Sequence, residues 1–283
     1  MMRGHRLAAG AACIAASMVA SCAWHRAGVN PPAAASPSAP ALLRHVFTAI
    51  SFGGMSVELC LYAPDAAMAE AAAAAAFARI AELSAMMSDY ELDPPSPLNR
   101  IAAAAPAAVV VPPELLAVLG RAIELHRITA GAFDVTAKPF VQLWRVSQRL
   151  GELPPAASLR RAKRFVDIGA LELDAVASTA RLRREGMWLD LGGIAKGMIG
   201  DEVVGLLRRH GTPRCRYTAG GDMVFGEPPP GESGWNVTVP DFPVAGADGA
   251  APGCLTFSIA NAAASVSGDV FRFVEIDGAH HAH

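Results

Sequence analysis

The segment Leu189-Asp190-Leu191-Gly192-Gly193-Ile194-Ala195-Lys196-Gly197 has the residue types of an anion site. An apolar stretch that runs through a glycine pair into a helical pattern brings free backbone N–H groups to one point, where phosphate oxygens can accept them. Lys196, in the first helical turn, adds a mobile positive charge, and Asp190 offers a carboxylate to a sugar or base edge. Together these groups suit a nucleotide. Neither the GxxxxGK[ST] nor the GxGxxG spacing is present, so motif logic ends at an anion site. The same spacing is also met by a packing turn in which Asp190 caps the helix and Lys196 lies in solvent.

The surrounding pattern supplies the elements that must hold this segment. Met187 to Leu191 reads as a buried strand, Gly192-Gly193 as a tight turn, and Ile194 to Arg209 as a helix with Ala195, Ile199, Val203, Leu206 and Leu207 facing inward. His210-Gly211 is its glycine stop. Upstream, Val46 to Tyr62 reads as a strand, Ala66 to Met87 as an alanine-rich helix, Ser88 to Asn99 as a polar loop, and Pro113 to Thr129 as an amphipathic helix. Residues 152 to 186 show a weaker pattern, with a short helix near Ser158 to Arg164 and strand-like pieces at Phe165 to Ile168 and Ala180 to Leu182. Arg214 to Thr218, Gly234 to Val239, Leu255 to Ile259 and Phe271 to Ile276 read as further strands. Helices and strands mix without a strict alternating repeat, which predicts an α+β fold rather than a doubly wound sheet.

Of the 283 residues, 52% are hydrophobic, ample for a core, and the net charge is −2 with dispersed Lys and Arg. No electrostatic footprint for nucleic acid exists on that balance. The first 21 residues predict an export signal: Arg3, His5 and Arg6 precede an apolar run, Leu7 to Ala20, too short to span a bilayer. Val19-Ala20-Ser21-Cys22 resembles a lipobox, so Cys22 is expected to carry a lipid and begin the mature chain on the periplasmic side of a bacterial membrane. Residues 22–41 then form an Ala/Pro-rich tether and 42–283 the folded domain. Of five cysteines, Cys60, Cys215 and Cys254 remain after Cys13 and Cys22; their spacing is not metal-like, and at most one disulfide is possible.

Asp190 to Gly197 also resembles the signature of the FAD:protein FMN transferases, the ApbE-type flavin transferases. Other blocks follow in that family's order. Met87-Ser88-Asp89-Tyr90 with Ser96 and Leu98-Asn99 resembles its Met-Ser-x-Tyr loop and the Ser-x-Leu-x-x-Asn element behind it. Gly131 to Thr136 with Pro139 and Leu143-Trp144, then Gly220-Gly221-Asp222, then Ser267-Gly268-Asp269 with Phe273 to Gly278, complete five blocks over about 190 residues. At the start of the domain, Ser51 to Met55 stands where the family has Met-Gly-Thr.

The resemblance implies an α+β architecture with FAD in a cleft between two lobes and Mg2+ at the pyrophosphate. It implies that Tyr90 contacts the flavin nucleotide, that Ala132, Phe133 and Asp134 line its pocket, that Asp190 and Lys196 hold the ribose-pyrophosphate region, and that Gly193 offers magnesium a backbone oxygen. Each residue also has a plainer use: Tyr90 as a loop aromatic, Phe133 as core, Asp134 as a turn residue bonding its own backbone. Asp222 and Asp269, each directly after a glycine, are expected to form turns and not to bind ligand. The implied activity is transfer of FMN from FAD to a threonine of an acceptor protein, with release of AMP. The family continues with a His-x-x-Asp-Pro-x-Thr-Gly segment and with magnesium-binding Asp and Thr side chains, and His283 stands where that segment begins, as the implied proton acceptor. The alternatives are a non-catalytic flavin-binding lipoprotein and an FAD pyrophosphatase giving FMN and AMP.

Overall fold

A computed structural model describes residues 41–51, 54–90, 93–240, 254–266, 273–276 and 278–282. The expected lipidation site Cys22, the expected proton acceptor His283 and the turn residue Asp269 lie outside them.

The stretch expected as one strand is two: β1 (Leu43–Ser51) and β2 (Met55–Ala63) pair antiparallel, with the Gly54 amide donating to the Ser51 carbonyl at 3.1 Å. The period-2 pattern is the same on both strands, and Gly54, at φ +122°, marks the reversal that alternation alone does not reveal. β2 continues through β6 (Cys215–Ala219), β7 (Asp222–Phe225) and β10 (Ala263–Ser265), giving a five-stranded antiparallel sheet in the order β1-β2-β6-β7-β10. Val57, Leu59, Leu61 and Ala63 point from β2 into the main core. Cys60 points to the other face, where Phe225 and the hairpin of β8 (Trp235–Pro240) and β9 (Cys254–Ile259) cover it with Trp235 and Val237.

The main-core face carries α1 (Ala66–Met86) and α6 (Ala195–Arg209). Asp65 caps α1 by accepting from the Met68 amide at 2.8 Å, and Ala69, Ala72, Ala73 and Ala76 are buried with Ile80, Leu83 and Met86. Small side chains let the helix lie close to its neighbours, and Gly200 does the same for α6. A Cβ there would stand 2.5 Å from Val224 Cγ2 and 2.8 Å from Tyr217 Cδ1, so α6 is pressed directly onto β6 and β7.

A second group comprises α2 (Pro97–Ala103), α3 (Pro113–Ile128), α4 (Lys138–Leu150), α5 (Ala156–Lys163) and the sheet β3 (Val109–Val110), β5 (Thr179–Leu182) and β4 (Leu171–Asp174), in that strand order. The expected loop Ser88 to Asn99 therefore ends inside α2, whose cap Ser96 accepts from the Asn99 amide at 3.0 Å. Phe165 to Ile168 is not a strand. The Phe165 and Val166 amides turn back to the Ala162 and Lys163 carbonyls, and pairing begins only at Leu171. Met187 to Leu191 is likewise in no sheet: Met187, Leu189 and Leu191 are buried alternately as expected, but the Asp190 amide finds its partner in the Val135 carbonyl of a loop, at 2.8 Å. Finally β11 (Phe273–Ile276) pairs with β12 (Ala279–Ala282), and the His281 ring meets Trp144 of α4 edge-on at 6.3 Å. Among the described residues, no helix is long and apolar enough to cross a membrane, and Cys60 and Cys215 are free thiols. Burial raises both thiols, Cys215 to about 12, so neither is a ready thiolate at neutral pH.

Candidate functional site

The glycine pair lies in a turn anchored by buried Leu191 on one side and buried Ile194 on the other. The Leu191 carbonyl accepts from the Ile194 and Ala195 amides at 2.9 and 2.8 Å, which closes the turn and starts α6. Asp190 Oδ1 accepts from the Gly192 amide at 2.7 Å, so Asp190 bonds within the turn and does not cap the helix, the plainer role expected for it. No side chain caps α6 at Ile194, which leaves the first-turn N–H groups of Lys196 and Gly197 to a ligand or solvent. Both glycines are closely packed: a Cβ on Gly192 would stand 3.0 Å from Asp190 Oδ1, and one on Gly193 would stand 3.1 Å from Phe133 Cε2.

Phe133 reaches the turn from the loop after α3. That loop leaves its helix through two left-handed residues, Ala130 at φ +50° and Gly131 at φ +86°. It is then fixed by Asp134, whose Oδ1 accepts from both the amide and the hydroxyl of Thr136, at 2.8 and 2.6 Å. The Thr136 hydroxyl in turn accepts from the Asp167 amide at 2.9 Å. His126 Nδ1 lies 2.9 Å from the Phe133 carbonyl and 3.5 Å from Asp134 Oδ2. The side chain of Asp134 thus builds its own turn, as in its plainer expected use, while Ala132 is exposed and Phe133 half-buried beside Gly193.

Lys196 is not free in solvent. Its ammonium pairs with the carboxylate of Asp222, whose other oxygen accepts from the Ser265 hydroxyl at 2.5 Å. Asp222 does stand at a turn, with Gly220 at φ +60° and Gly221 so close to the Val266 carbonyl that a Cβ would lie 2.5 Å from its oxygen. Yet it also faces the glycine-pair segment. The expectation that Asp222 only forms a turn missed this second use, because a pairing across 26 positions leaves no trace in local spacing.

The loop carrying Tyr90 is held by its carbonyls. Ser96 Oγ donates to the Ser88 carbonyl at 2.6 Å, Lys138 Nζ to the Asp89 carbonyl at 2.7 Å, and Asn99 Nδ2 to the Tyr90 carbonyl at 2.7 Å. Tyr90 itself is 53% exposed, so its ring is presented outward. Ser96 and Asn99 belong to a block quoted from the sequence; Lys138 does not, and nothing in its local pattern marks it.

A cavity of about 350 Å3 lies behind this loop between α1, α3 and α6, with Met87, Leu83, Val118 and Met198 in its wall. Its one guanidinium, Arg79, is committed to Glu82, Glu114 and Glu202. Among the described residues no group of three or more His, Cys, Asp or Glu is placed to hold a metal ion.

The sequence profile of the ApbE family matches residues 54–283. A FAD:protein FMN transferase of Treponema pallidum is 31% identical over 214 residues, which cover 71% of this chain and 57% of that protein. A FAD:protein FMN transferase of Klebsiella pneumoniae is 31% identical over 126 residues, covering 44% of this chain and 39% of that protein. The chain therefore spans only about half the length of the relatives it matches. In fold, it superposes on the ApbE protein of Thermotoga maritima with a TM-score of 0.70 at 20% identity, covering 85% of this chain and 75% of that one. The apo flavinyl transferase ApbE of Pseudomonas stutzeri gives a TM-score of 0.70 at 21% identity, covering 86% and 73%. The α+β expectation holds, and with a profile match running from the first hairpin across every segment gathered at the glycine turn, this chain belongs to the ApbE family.

Proposed function

We propose that this chain is a FAD:protein FMN transferase, which moves the FMN half of FAD onto a threonine of an acceptor protein and releases AMP. One observation carries the reading. Segments far apart in sequence, Phe133-Asp134, Asp190 to Lys196 and Asp222, meet at a single uncapped helix start, where free backbone N–H groups and the Lys196 ammonium suit a pyrophosphate. The names and identities of the relatives from Treponema pallidum and Klebsiella pneumoniae support it.

In this reading the first-turn amides of α6 and Lys196 hold the pyrophosphate, with Asp190 at the ribose. Ala132 and Phe133 line the pocket, Asp134 stiffens the loop that carries them, and Tyr90 contacts the flavin nucleotide. Lys196 can exchange its Asp222 partner for a phosphate oxygen, because an ammonium donates three hydrogen bonds. The threonine oxygen forms a bond to the phosphorus on the FMN side, the bridging P–O bond to the AMP phosphate breaks, and AMP leaves with that electron pair. The hydroxyl proton must pass to a base, for which His283 is our candidate. Donors fixed before the reaction stabilise charge as it develops on the phosphoryl oxygens. The reading includes Mg2+, with Gly193 offering a backbone oxygen. The described residues do not form a magnesium site by themselves, since a hard cation needs several oxygens at fixed geometry, and no step above runs through the metal. The basic start, the apolar run and the small residues before Cys22 support export and a lipid anchor on the periplasmic side.

The test incubates the full chain with FAD, magnesium and a threonine-bearing acceptor, following AMP release and flavin fluorescence of the acceptor in a gel. A fluorescent acceptor with stoichiometric AMP is expected, and none with the threonine changed to valine. FAD bound without AMP identifies a binding protein instead, and free FMN with AMP but no labelled acceptor identifies a pyrophosphatase.

A further inference from the structure

A lysine that is 5% exposed is unusual, because the ammonium loses its hydration unless the protein replaces it. The surroundings of Lys138 replace it from two directions. On one side the ammonium donates to the Asp89 carbonyl at 2.7 Å and lies 3.6 Å from Asp89 Oδ2. On the other it sits over the Trp188 ring, 5.0 Å from the centroid. Asp89 and Tyr90 belong to the loop whose three successive carbonyls are each held by one side chain. Trp188 belongs to the irregular segment that leads into Asp190 and the glycine pair. Lys138, at the start of α4, is thus a single charged group touching both segments expected to contact the dinucleotide.

The two other holders of the loop, Ser96 and Asn99, lie just outside the start of α2 and within it, so they bind the loop only to its own continuation. Of these three, Lys138 is the one that ties it to the glycine-turn segment. The carboxylate of Asp89 has no hydrogen-bond donor on its buried Oδ2, and Arg145 stands 3.9 Å away. The nearby positive charge that stabilises this carboxylate is therefore chiefly the ammonium of Lys138, at 3.6 Å. The ion pair and the carbonyl bond fix the backbone from which the Tyr90 ring projects.

We propose that Lys138 is a positioning residue for FAD: it sets the spacing between the Tyr90 loop and the glycine turn, and so the affinity for a dinucleotide that spans them. The inference rests on the FAD reading above. Its test measures FAD binding to the full chain by quenching of flavin fluorescence, for the wild type and for Lys138→Met, Lys138→Arg and Asp89→Ala. Removing a charge-assisted hydrogen bond predicts a Kd about tenfold higher for Lys138→Met, with partial recovery in Lys138→Arg and a smaller rise in Asp89→Ala. The number of sites per chain should stay that of the wild type, whereas simple loss of folded protein would lower that number and leave the Kd alone. Wild-type affinity in Lys138→Met overturns the proposal. If that variant does not fold, wild-type affinity in Asp89→Ala overturns it. A wild-type chain that binds no FAD at all overturns the functional reading itself, and this inference with it.

Discussion

Two basic side chains face carboxylates near α6, and they are held in opposite ways. Arg79 of α1 reaches Glu82 at 2.7 Å, Glu114 at 2.9 Å and Glu202 at 3.6 Å, so its planar fork is shared among three acceptors from three helices. Lys196 has one carboxylate partner, Asp222, which it shares with the Ser265 hydroxyl. The first arrangement sets a carboxylate beside each of the three guanidinium nitrogens and joins α1, α3 and α6. The second leaves donors on the ammonium that a ligand can take. We read a guanidinium shared among three carboxylates as a fastening, and propose that an ammonium with one replaceable partner is a receptor. The difference can be recognised before any ligand is known.

The comparison breaks first at Lys196. Lys196→Met should weaken FAD binding by about 10- to 100-fold, the worth of a charge-assisted hydrogen bond, and leave the melting temperature nearly unchanged. Unchanged affinity by titration would remove Lys196 from the site. Next in size, Gly200→Ala should cost about 1–3 kcal/mol in denaturant unfolding, because its Cβ would overlap Val224 and Tyr217. A neutral result would show that α6 can shift on the sheet. Third, Arg79→Met should lower stability by no more than about 1 kcal/mol, since its partners are part-exposed, while FAD affinity stays that of the wild type. Loss of FAD binding there would erase the distinction between fastening and receptor.

The smallest effect expected is in the pH dependence of the same cluster. The hydrogen bond from Arg79 holds the Glu114 carboxyl below its ordinary value of 4.5. A carboxyl depressed in the folded state adds stability above its unfolded value, and that contribution fades as pH falls through the depressed one. The melting-temperature difference between wild type and Glu114→Gln should therefore be present at pH 7 and close progressively below the ordinary value of 4.5. A difference that stays constant down to pH 3 would show that the charge of Glu114 plays no part.

What could be read in advance follows the reach of each interaction. Helices α1, α3 and α6 match their expected spans within a residue or so, because apolar periodicity and caps such as Asp65 are local. The glycine turn was legible for the same reason. Helix α4 was not foreseen, although Phe140, Leu143 and Trp144 form a half-buried apolar stripe at helical spacing that could have revealed it. Met187 to Leu191 shows a strand's alternation without being a strand, because a loop carbonyl at Val135 serves as the partner. Lys138 and Asp222 were missed for a common reason: they act on residues 49 and 26 positions away, and a residue's type does not name its partner.

The contact at Gly200 has a consequence for how the site can respond to a guest. Lys196 sits one helical turn before Gly200, and Asp222 opens the strand that carries Val224, the residue Gly200 touches. Cation and counter-anion are therefore mounted on a single block whose spacing is set by the bare backbone of Gly200 lying against the Val224 and Tyr217 side chains. Adjustment to a large or small guest must come from side chains on the surrounding loops at 87–90 and 130–137, such as the exposed Tyr90 ring. The charged half of the site behaves as an anvil, and the aromatic half carries the tolerance for shape.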